Sequence, residues 1–239
     1  MNEPTNQGTE ITLAAPGGIR TALSKMLPDF EKKTGYKVTP SFMSGGAAKS
    51  KTIEGEMFDV PVIQPPLDSV RASGHVVIAS ETPLATVSVV VAIRTGAPKP
   101  DLSTADGVKR MLLAAKSISC PSAARGAACG VSFEATLTKL GIADAITPKI
   151  TLVPSGWESI KTLARGEVEI AITFQSEADE DPQVEMLGAM PREISILTGF
   201  VAFVNAKSKA PEAAAALIKF LTTPEAAKIF TESGMTPGK

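Results

Sequence analysis

Aromatic side chains are scarce: they make up 5% of the 239 residues, with a single tryptophan and a single tyrosine. Proteins that recognise sugars or nucleobases rely on stacking against such rings, so stacking is disfavoured as the main binding mode. A surplus of charge is also missing, because 24 basic residues face 25 acidic ones. Without a global positive field, we expect no nucleic-acid partner and no binding to an anionic membrane. The composition favours a small, polar partner.

Metal-ligating and redox residues are equally few. His75 is the only histidine, and the two cysteines, Cys120 and Cys129, do not form a Cys-x-x-Cys motif. Zinc sites need several Cys or His ligands at short spacings, so we expect no metal and no cofactor. Whether the two cysteines form a disulfide stays open. Cys129 is a poor candidate nucleophile, because GAACGVS misses the nucleophile-elbow spacing.

Long apolar runs are absent, since no stretch reaches the roughly 18 residues that a membrane-spanning helix needs. The first ten residues, MNEPTNQGTE, lack the basic and apolar regions of a signal peptide. We therefore expect no membrane insertion. A hydrophobic content of 44% is enough to bury a full core, in one large domain or two small ones. We expect a monomer.

The first part of the chain alternates strands and helices. EITLAA predicts a strand and PGG a turn, and the helical spacing of apolar residues from Ile19 to Phe30 predicts an amphipathic helix ending at Gly35. Further strands are predicted at YKVTPSFM and FDVPVIQ, on either side of a turn and helix in SGGAAKSKTIEG. This order indicates a parallel sheet covered on both faces.

A second α/β block lies between two long extended runs. TPLATVSVVVAIRTGAPKPD leads into it, and EISILTGFVAFVN leads out of it toward two closing helices. The sequence therefore predicts an α/β protein of two lobes joined by two hinge crossings. Lobe I would comprise residues 1–83 and 199–239, and lobe II residues 84–198. We expect a ligand cleft between the lobes, where strand-to-helix turns converge.

Small residues fill four predicted strand-to-helix turns, two in each lobe: APGG, SGGAA, PSAARGAACG and PSGWES. The first N–H groups of a helix have no partner within the helix, so each turn is a candidate anion site. One glycine turn alone is more often a packing feature, but four in matched positions favour binding. No phosphate-loop or dinucleotide-binding motif occurs, so nucleotide hydrolysis and dinucleotide binding have little support.

The segments ITLAAPGGIRTALSKMLPDFEKKTG, FDVPVI, RTGAPKPDLST and LTTPEAAKIFTESGM together resemble the molybdate-binding type of periplasmic solute-binding protein of ABC transporters. The resemblance spans the whole chain and implies a bilobed type II fold, a periplasmic location and an ABC transporter membrane component as partner. It also implies closure of two lobes over a small anion. The ligand groups carried over by motif position are Gly17, Gly18, Ser44, Gly45, Gly46, Arg125, Gly126, Ala127, Gly156 and Trp157, to which we add Gln175.

The chain departs from the molybdate-binding pattern in two ways. Pro16 and Gly17 stand where the related proteins have a serine, so one hydroxyl is missing. Arg20, Lys49 and Arg125 lie in or beside the turns, whereas the molybdate site is neutral. A guanidinium binds planar carboxylates through two hydrogen bonds, so these cations favour a di- or tricarboxylate. The alternative for each is a solvated surface charge, which is more plausible for Arg20 and Lys49 than for Arg125.

The same fold family includes aconitate isomerase, which gives an alternative function: interconversion of cis- and trans-aconitate by allylic proton transfer. Such an enzyme needs an acid or base beside the anion, and Glu177 is the first candidate because it follows the predicted strand VEIAITF. The other candidates are Ser44, Ser122, Glu134 and Glu158. The acidic run EADEDP supports the alternative that Glu177 is a solvated loop residue.

Overall fold

The computed structural model describes residues 8–177 and 181–238. The chain divides into two compact units, lobe I (Met1–Thr86 with Gly199–Lys239) and lobe II (Val87–Thr198), so the backbone passes between them twice. No helix in the described ranges is long and apolar enough to cross a membrane. The predicted fold class, a bilobed α/β protein, is confirmed by this division and by the similarities reported below.

The strands in the described residues are β1 (Glu10–Pro16), β2 (Lys37–Met43), β3 (Val60–Ile63), β4 (Val76–Val87), β5 (Val89–Arg94), β6 (Ile118–Pro121), β7 (Ile150–Val153), β8 (Ile170–Phe174), β9 (Val184–Ala189), β10 (Thr198–Asn205) and β11 (Thr236–Pro237). The α-helices are α1 (Arg20–Thr34), α2 (Gly45–Ile53), α3 (Asp68–Ala72), α4 (Ala105–Ala114), α5 (Ala128–Leu140), α6 (Ala143–Ile146), α7 (Gly156–Ala164), α8 (Pro211–Phe220) and α9 (Pro224–Glu232).

The two lobes share one sheet plan. Lobe I has the strand order β11-β4-β10-β3-β1-β2, and lobe II has β7-β6-β8-β5-β9. In lobe I, β1 lies between two parallel partners, β2 and β3, and β3 pairs antiparallel with β10. In lobe II, β6 lies between the parallel partners β7 and β8, and β8 pairs antiparallel with β5. Hence β1, β2 and β3 correspond to β6, β7 and β8. The parallel pairing predicted for the first strands is confirmed for β1, β2 and β3, while β10 and β5 add antiparallel pairs, so both sheets are mixed.

Each lobe has its own apolar core. In lobe I a cluster of buried residues lies between α2, α3 and the sheet and includes Ile63, Val70 and Phe203. In lobe II a second cluster packs α7 onto the sheet through Ile160 and Leu163. These side chains come from the apolar faces of helices and from strands covered on both sides, as the predicted patterns required. The cores hold the turns at the strand ends in place.

A half-buried carboxylate in lobe I accepts hydrogen bonds from two parts of the chain that are far apart in sequence. Asp59, just before β3, accepts hydrogen bonds from the Thr12 N–H at 2.9 Å, the Thr12 hydroxyl at 2.7 Å and the Ser208 hydroxyl at 2.6 Å. Partial burial raises the pKa of the Asp59 carboxyl, but the hydrogen bonds from Ser208 and Thr12 outweigh it and hold the pKa below its usual value. The strands β1 and β3 are therefore joined by side chains as well as by backbone.

Candidate ligand-binding site

Two strand-to-helix turns lie side by side in lobe I. β1 and β2 are parallel neighbours, and their register pairs their last residues, Pro16 and Met43. Since neighbouring strands lie about 4.8 Å apart, the two turns begin close together at one edge of the sheet. The first turn forms a short 3-10 helix, Gly17–Ile19, before α1, and the second enters α2 through Ser44. The residues predicted in lobe I therefore share one sheet edge.

Lobe II repeats this arrangement. β6 and β7 are parallel neighbours whose last residues, Pro121 and Val153, are paired in register. The turn after β6 forms a 3-10 helix, Ala123–Arg125, before α5, and the turn after β7 enters α7 through Ser155. The predicted residues of lobe II are thus also brought to one edge, at the carboxyl ends of the parallel strands, where α/β folds bind ligands.

A serine followed by a glycine starts the corresponding helices α2 and α7. Ser44 Oγ accepts a hydrogen bond from the Ala47 N–H at 3.1 Å, and Ser155 Oγ accepts one from the Glu158 N–H at 3.3 Å. Both serines are N-caps, which typically contribute about 1 kcal/mol. Because each hydroxyl oxygen accepts from the helix, its proton remains available for donation to a ligand. The expected role of Ser44 as a hydroxyl donor agrees with this geometry.

In the turn after β6, the backbone N–H groups that were expected to bind the ligand form hydrogen bonds within the turn instead. The N–H groups of Arg125 and Ala127 both donate to the Ser122 carbonyl at 3.2 Å, and that of Gly126 donates to the Ala123 carbonyl at 2.8 Å. These amides are already engaged inside the turn, so they are poorly placed to hold an anion. What this turn can offer is the exposed Arg125 side chain, together with the start of α5, which has no side-chain cap.

The cations of lobe I have defined environments. The Arg20 guanidinium carbon lies 5.6 Å from the centre of the Phe42 ring, so α1 and β2 are joined by a cation–π contact. Lys49, on α2, is half-buried, and desolvation lowers the pKa of its ammonium group. Lys49 is therefore only partly desolvated, and both interpretations of it, ligand-binding residue and surface charge, stay open.

Glu177 is the outstanding titratable group of lobe II. It ends the 3-10 turn after β8 and is only 6% exposed, so the alternative of a solvated loop acid is wrong. Burial raises the pKa of its carboxyl to about 7, although hydrogen bonds with the backbone of Phe174 and Gly156 work in the opposite direction. Gly156 is the first residue of α7, so the Glu177 carboxyl lies at a helix N-terminus.

Position 156 requires glycine because its Cα lies against the side chains of Thr173 and Glu177. A Cβ on residue 156 would overlap the Thr173 hydroxyl and the Glu177 carboxylate. A carboxyl with a pKa near 7 can both accept and donate a proton at neutral pH, and such groups are common at functional sites. The arrangement can therefore move a proton at the N-terminus of α7.

Lobe I holds the matching side chain, which sequence reasoning missed. Gln64 directly follows β3, the counterpart of β8, and its carboxamide lies against Gly45, the first residue of α2. The signal was present, because Gln64 is the polar residue that ends the apolar run FDVPVIQ, as Glu177 follows VEIAITF. In both lobes a polar side chain that follows the third parallel strand, Gln64 directly and Glu177 after a 3-10 turn, lies against the first glycine of the second helix.

The remaining predicted residues are less central. Trp157 is half-buried as the second residue of α7, and the half-buried Gln175 donates its N–H to the Ser88 carbonyl at 3.1 Å. Ser122 is buried, and its N–H donates to the Val153 carbonyl at 3.1 Å, which joins the ends of β6 and β7. Glu134 is exposed on α5, and Glu158 pairs with Arg165 at 3.2 Å. Glu177 is the best placed of the candidate acids.

Both cysteines are buried and free. Burial is the main cause that raises the pKa of each thiol. A thiol that does not ionise is a poor nucleophile, so Cys129 fits the interpretation of a small buried residue. Within the described ranges, no three His, Cys, Asp or Glu side chains come together as metal ligands would.

A cavity of about 460 Å³ lies at the opposite edge of the lobe II sheet. Its walls include the end of β5 at Arg94, the start of β8 at Ile170 and the last turn of α4 at Met111 and Ala114. The C-terminal end of a helix carries a partial negative charge, which disfavours an anion there. Within lobe II, the candidate site is therefore the edge where β6 and β7 end.

Comparison with known proteins agrees with this geometry. The model of the bacterial extracellular solute-binding protein family matches residues 11–236. The chain belongs to this family. An aconitate isomerase from a Pseudomonas species is 29% identical over 236 residues, which is 96% of this chain and 88% of that protein. The resemblance inferred from the sequence is confirmed.

Solved structures of solute-binding proteins share the fold. The periplasmic molybdate-binding protein of Azotobacter vinelandii has a TM-score of 0.78 at 18% identity, covering 96% of this chain and 100% of that one. A sulfate-binding protein from Mycobacterium tuberculosis has a TM-score of 0.75 at 19% identity, covering 96% and 87%. At such identities the likeness establishes the bilobed type II fold of this family member and leaves its ligand to be inferred from its own residues.

Proposed function

We propose that the protein binds a small di- or tricarboxylate anion at its strand-to-helix turns. The observation that carries this proposal is the flush register of the paired strands, Pro16 with Met43 and Pro121 with Val153. It brings two helix N-termini to the same edge in each lobe, and helix N-termini attract anions. Closure of the two lobes on one ligand is part of the proposal.

Two features support a carboxylate over molybdate. Arg20 and Arg125 supply guanidinium groups, which suit planar carboxylates. The first turn has Pro16 and Gly17 in place of a hydroxyl donor. A relative named aconitate isomerase, which acts on a tricarboxylate, agrees with this ligand class.

Membership of an extracellular solute-binding family supports a proposal for where the protein acts and which partner it has. We propose that the protein works in the periplasm and delivers its anion to the membrane component of an ABC transporter. The test is isothermal titration of the purified protein with citrate, trans-aconitate, cis-aconitate, molybdate and sulfate. We expect one of the carboxylates to bind and the inorganic anions to bind weakly. Binding of molybdate or sulfate with no response to any carboxylate would refute the ligand class.

A second function, isomerisation of the bound anion, is favoured by one specific observation. Glu177 is buried at a helix N-terminus with a pKa of about 7, as a general acid and base requires at neutral pH. In aconitate, the Glu177 carboxylate would remove a proton from the methylene carbon, and the electron pair would move into the allylic system. The Glu177 carboxyl would then return a proton to the former vinyl carbon, so that the double bond shifts by one position.

Proton NMR in heavy water tests this second function. On incubation with trans-aconitate, an isomerase gives cis-aconitate with deuterium incorporated at the exchanged carbon. Glu177→Gln keeps the shape of the side chain but cannot exchange a proton, so we expect its turnover to be abolished while binding remains. Binding without turnover by the wild-type protein would leave solute binding as the function. Full turnover by Glu177→Gln would exclude Glu177 as the base.

A further inference from the structure

Gln64 is a buried polar side chain that nothing in the protein accounts for. It is only 5% exposed. Among residues 8–177 and 181–238, no hydrogen bond to its carboxamide is found, and its polar atoms are not among those sealed from solvent without a partner, which are the hydroxyls of Ser195 and Ser233. The carboxamide therefore keeps a narrow access to solvent at the end of β3, although polar groups that are this far buried are normally paired. A ligand would supply the missing partner.

The position of Gln64 identifies the kind of partner. Its Oε1 and Cδ lie so close to Gly45 that a Cβ there would overlap both atoms. Gly45 is the first residue of α2, a nine-residue helix capped by Ser44. The positive end of the helix attracts the amide oxygen, which leaves the amide NH₂ group as an unused donor. A free donor at a helix N-terminus suits an anionic oxygen.

Lobe II supports this interpretation, because it shows the same position occupied by an acceptor. There Glu177 lies against Gly156, the first residue of α7, and is paired with backbone. The carboxyl of lobe II thus satisfies its own helix, whereas the carboxamide of lobe I leaves its donor unused. The two lobes share a frame but differ in what they offer a ligand.

We infer that Gln64 is a ligand-binding residue of lobe I, whose NH₂ group donates to a carboxylate oxygen held at the N-terminus of α2. The inference rests on the proposed binding of a small carboxylate and adds a specificity-determining residue to that site. A neutral donor binds the anion without adding charge, so Gln64 complements the guanidinium groups. The NH₂ group of Gln64 can donate to a carboxylate at any pH, whereas the Glu177 carboxyl can donate only when it is protonated.

The test compares Gln64→Leu with a matched control, Gln183→Leu, on an exposed loop of lobe II. Wild type and both variants are titrated with citrate, trans-aconitate and cis-aconitate, and each is unfolded with urea in the absence of ligand. We expect Gln64→Leu to lose about tenfold or more in affinity, as for a hydrogen bond to a charged group. Its stability without ligand should be unchanged or higher, because the amide has no partner to lose. Gln183→Leu should bind as the wild type does.

The outcomes distinguish a failure of the inference about Gln64 from a failure of the proposed function. If the wild type binds a carboxylate and Gln64→Leu binds it equally well, the inference fails and the proposed function stands. If Gln64→Leu instead loses stability without ligand while affinity is retained, Gln64 is a structural residue and the inference again fails. If the wild type binds none of the three carboxylates, both fail. A further variant, Gln64→Glu, places an acceptor beside the anion, and we expect it to bind more weakly at pH 8 than Gln64→Leu.

Discussion

Replacing Glu177 by glutamine should change how stability depends on pH. The pKa of the Glu177 carboxyl is about 7 in the folded protein, against an ordinary value of 4.5. A carboxyl whose pKa is higher in the folded state stabilises the fold at low pH, and this stability is lost as the pH rises through the folded pKa. The difference corresponds to about 3 kcal/mol, most of it lost between pH 5 and pH 8.

The glutamine variant removes this titration while keeping the shape of the side chain. Gln64 already occupies the corresponding position in lobe I, so a carboxamide is compatible with the frame. We therefore expect the stability of Glu177→Gln, relative to wild type, to rise by about 2–3 kcal/mol from pH 5 to pH 8.

Urea unfolding at pH 5, 6, 7 and 8 measures this difference directly. Glu134→Gln, which neutralises an exposed glutamate on α5, is the control for removing a negative charge. Its difference from wild type should stay nearly constant across the range. If the Glu177→Gln difference is also constant, the carboxyl does not titrate in the folded protein and the reasoning is refuted.

Three further predictions follow from the site. Arg125→Ala should weaken carboxylate binding about tenfold or more by calorimetry, with stability unchanged because the side chain is exposed; equal affinity would remove Arg125 from the site. Gly156→Ala should cost about 1–3 kcal/mol in urea unfolding, because its methyl group would overlap Glu177, and unaltered stability would contradict that contact. Cys120 and Cys129 should react with a thiol reagent only after unfolding, since both are buried; prompt reaction in the native protein would contradict their burial.

Local signals in the sequence were sufficient for most elements. The helix predicted from Ile19 onward is α1, and Gly35 ends it in the left-handed conformation with φ of 78°. Thr104 caps α4, with its hydroxyl accepting from the Gly107 N–H at 3.0 Å. Such features depend on residues three or four apart, so they are visible along the chain. The short elements α3, α6 and β11 were missed because few residues define each of them, and the six-residue strand β9 was missed as well.

The chemical environment of the site could not be predicted in the same way. Glu177 stands beside an acidic run, which suggests solvent, yet it is buried with its carboxyl against Gly156 at the start of α7. Likewise, the sequence placed Arg125, Gly126 and Ala127 in a turn, but their N–H groups donate to carbonyls inside that turn. Which groups are buried or already hydrogen-bonded depends on how distant parts of the chain pack together. Composition and residue spacing do not reveal that packing.

The flush strand ends have a consequence for how a ligand preference can change. The distance between neighbouring turns is set by the backbone spacing of the sheet, so it does not depend on the side chains in the turns. The side chains of Gln64 and Glu177, which lie against the corresponding helix starts, differ by an NH₂ group in place of an oxygen, so a single substitution there would alter the charge and the donor pattern and leave the strand spacing unchanged. We therefore expect that single substitutions at these positions can change the ligand preference while the fold is kept.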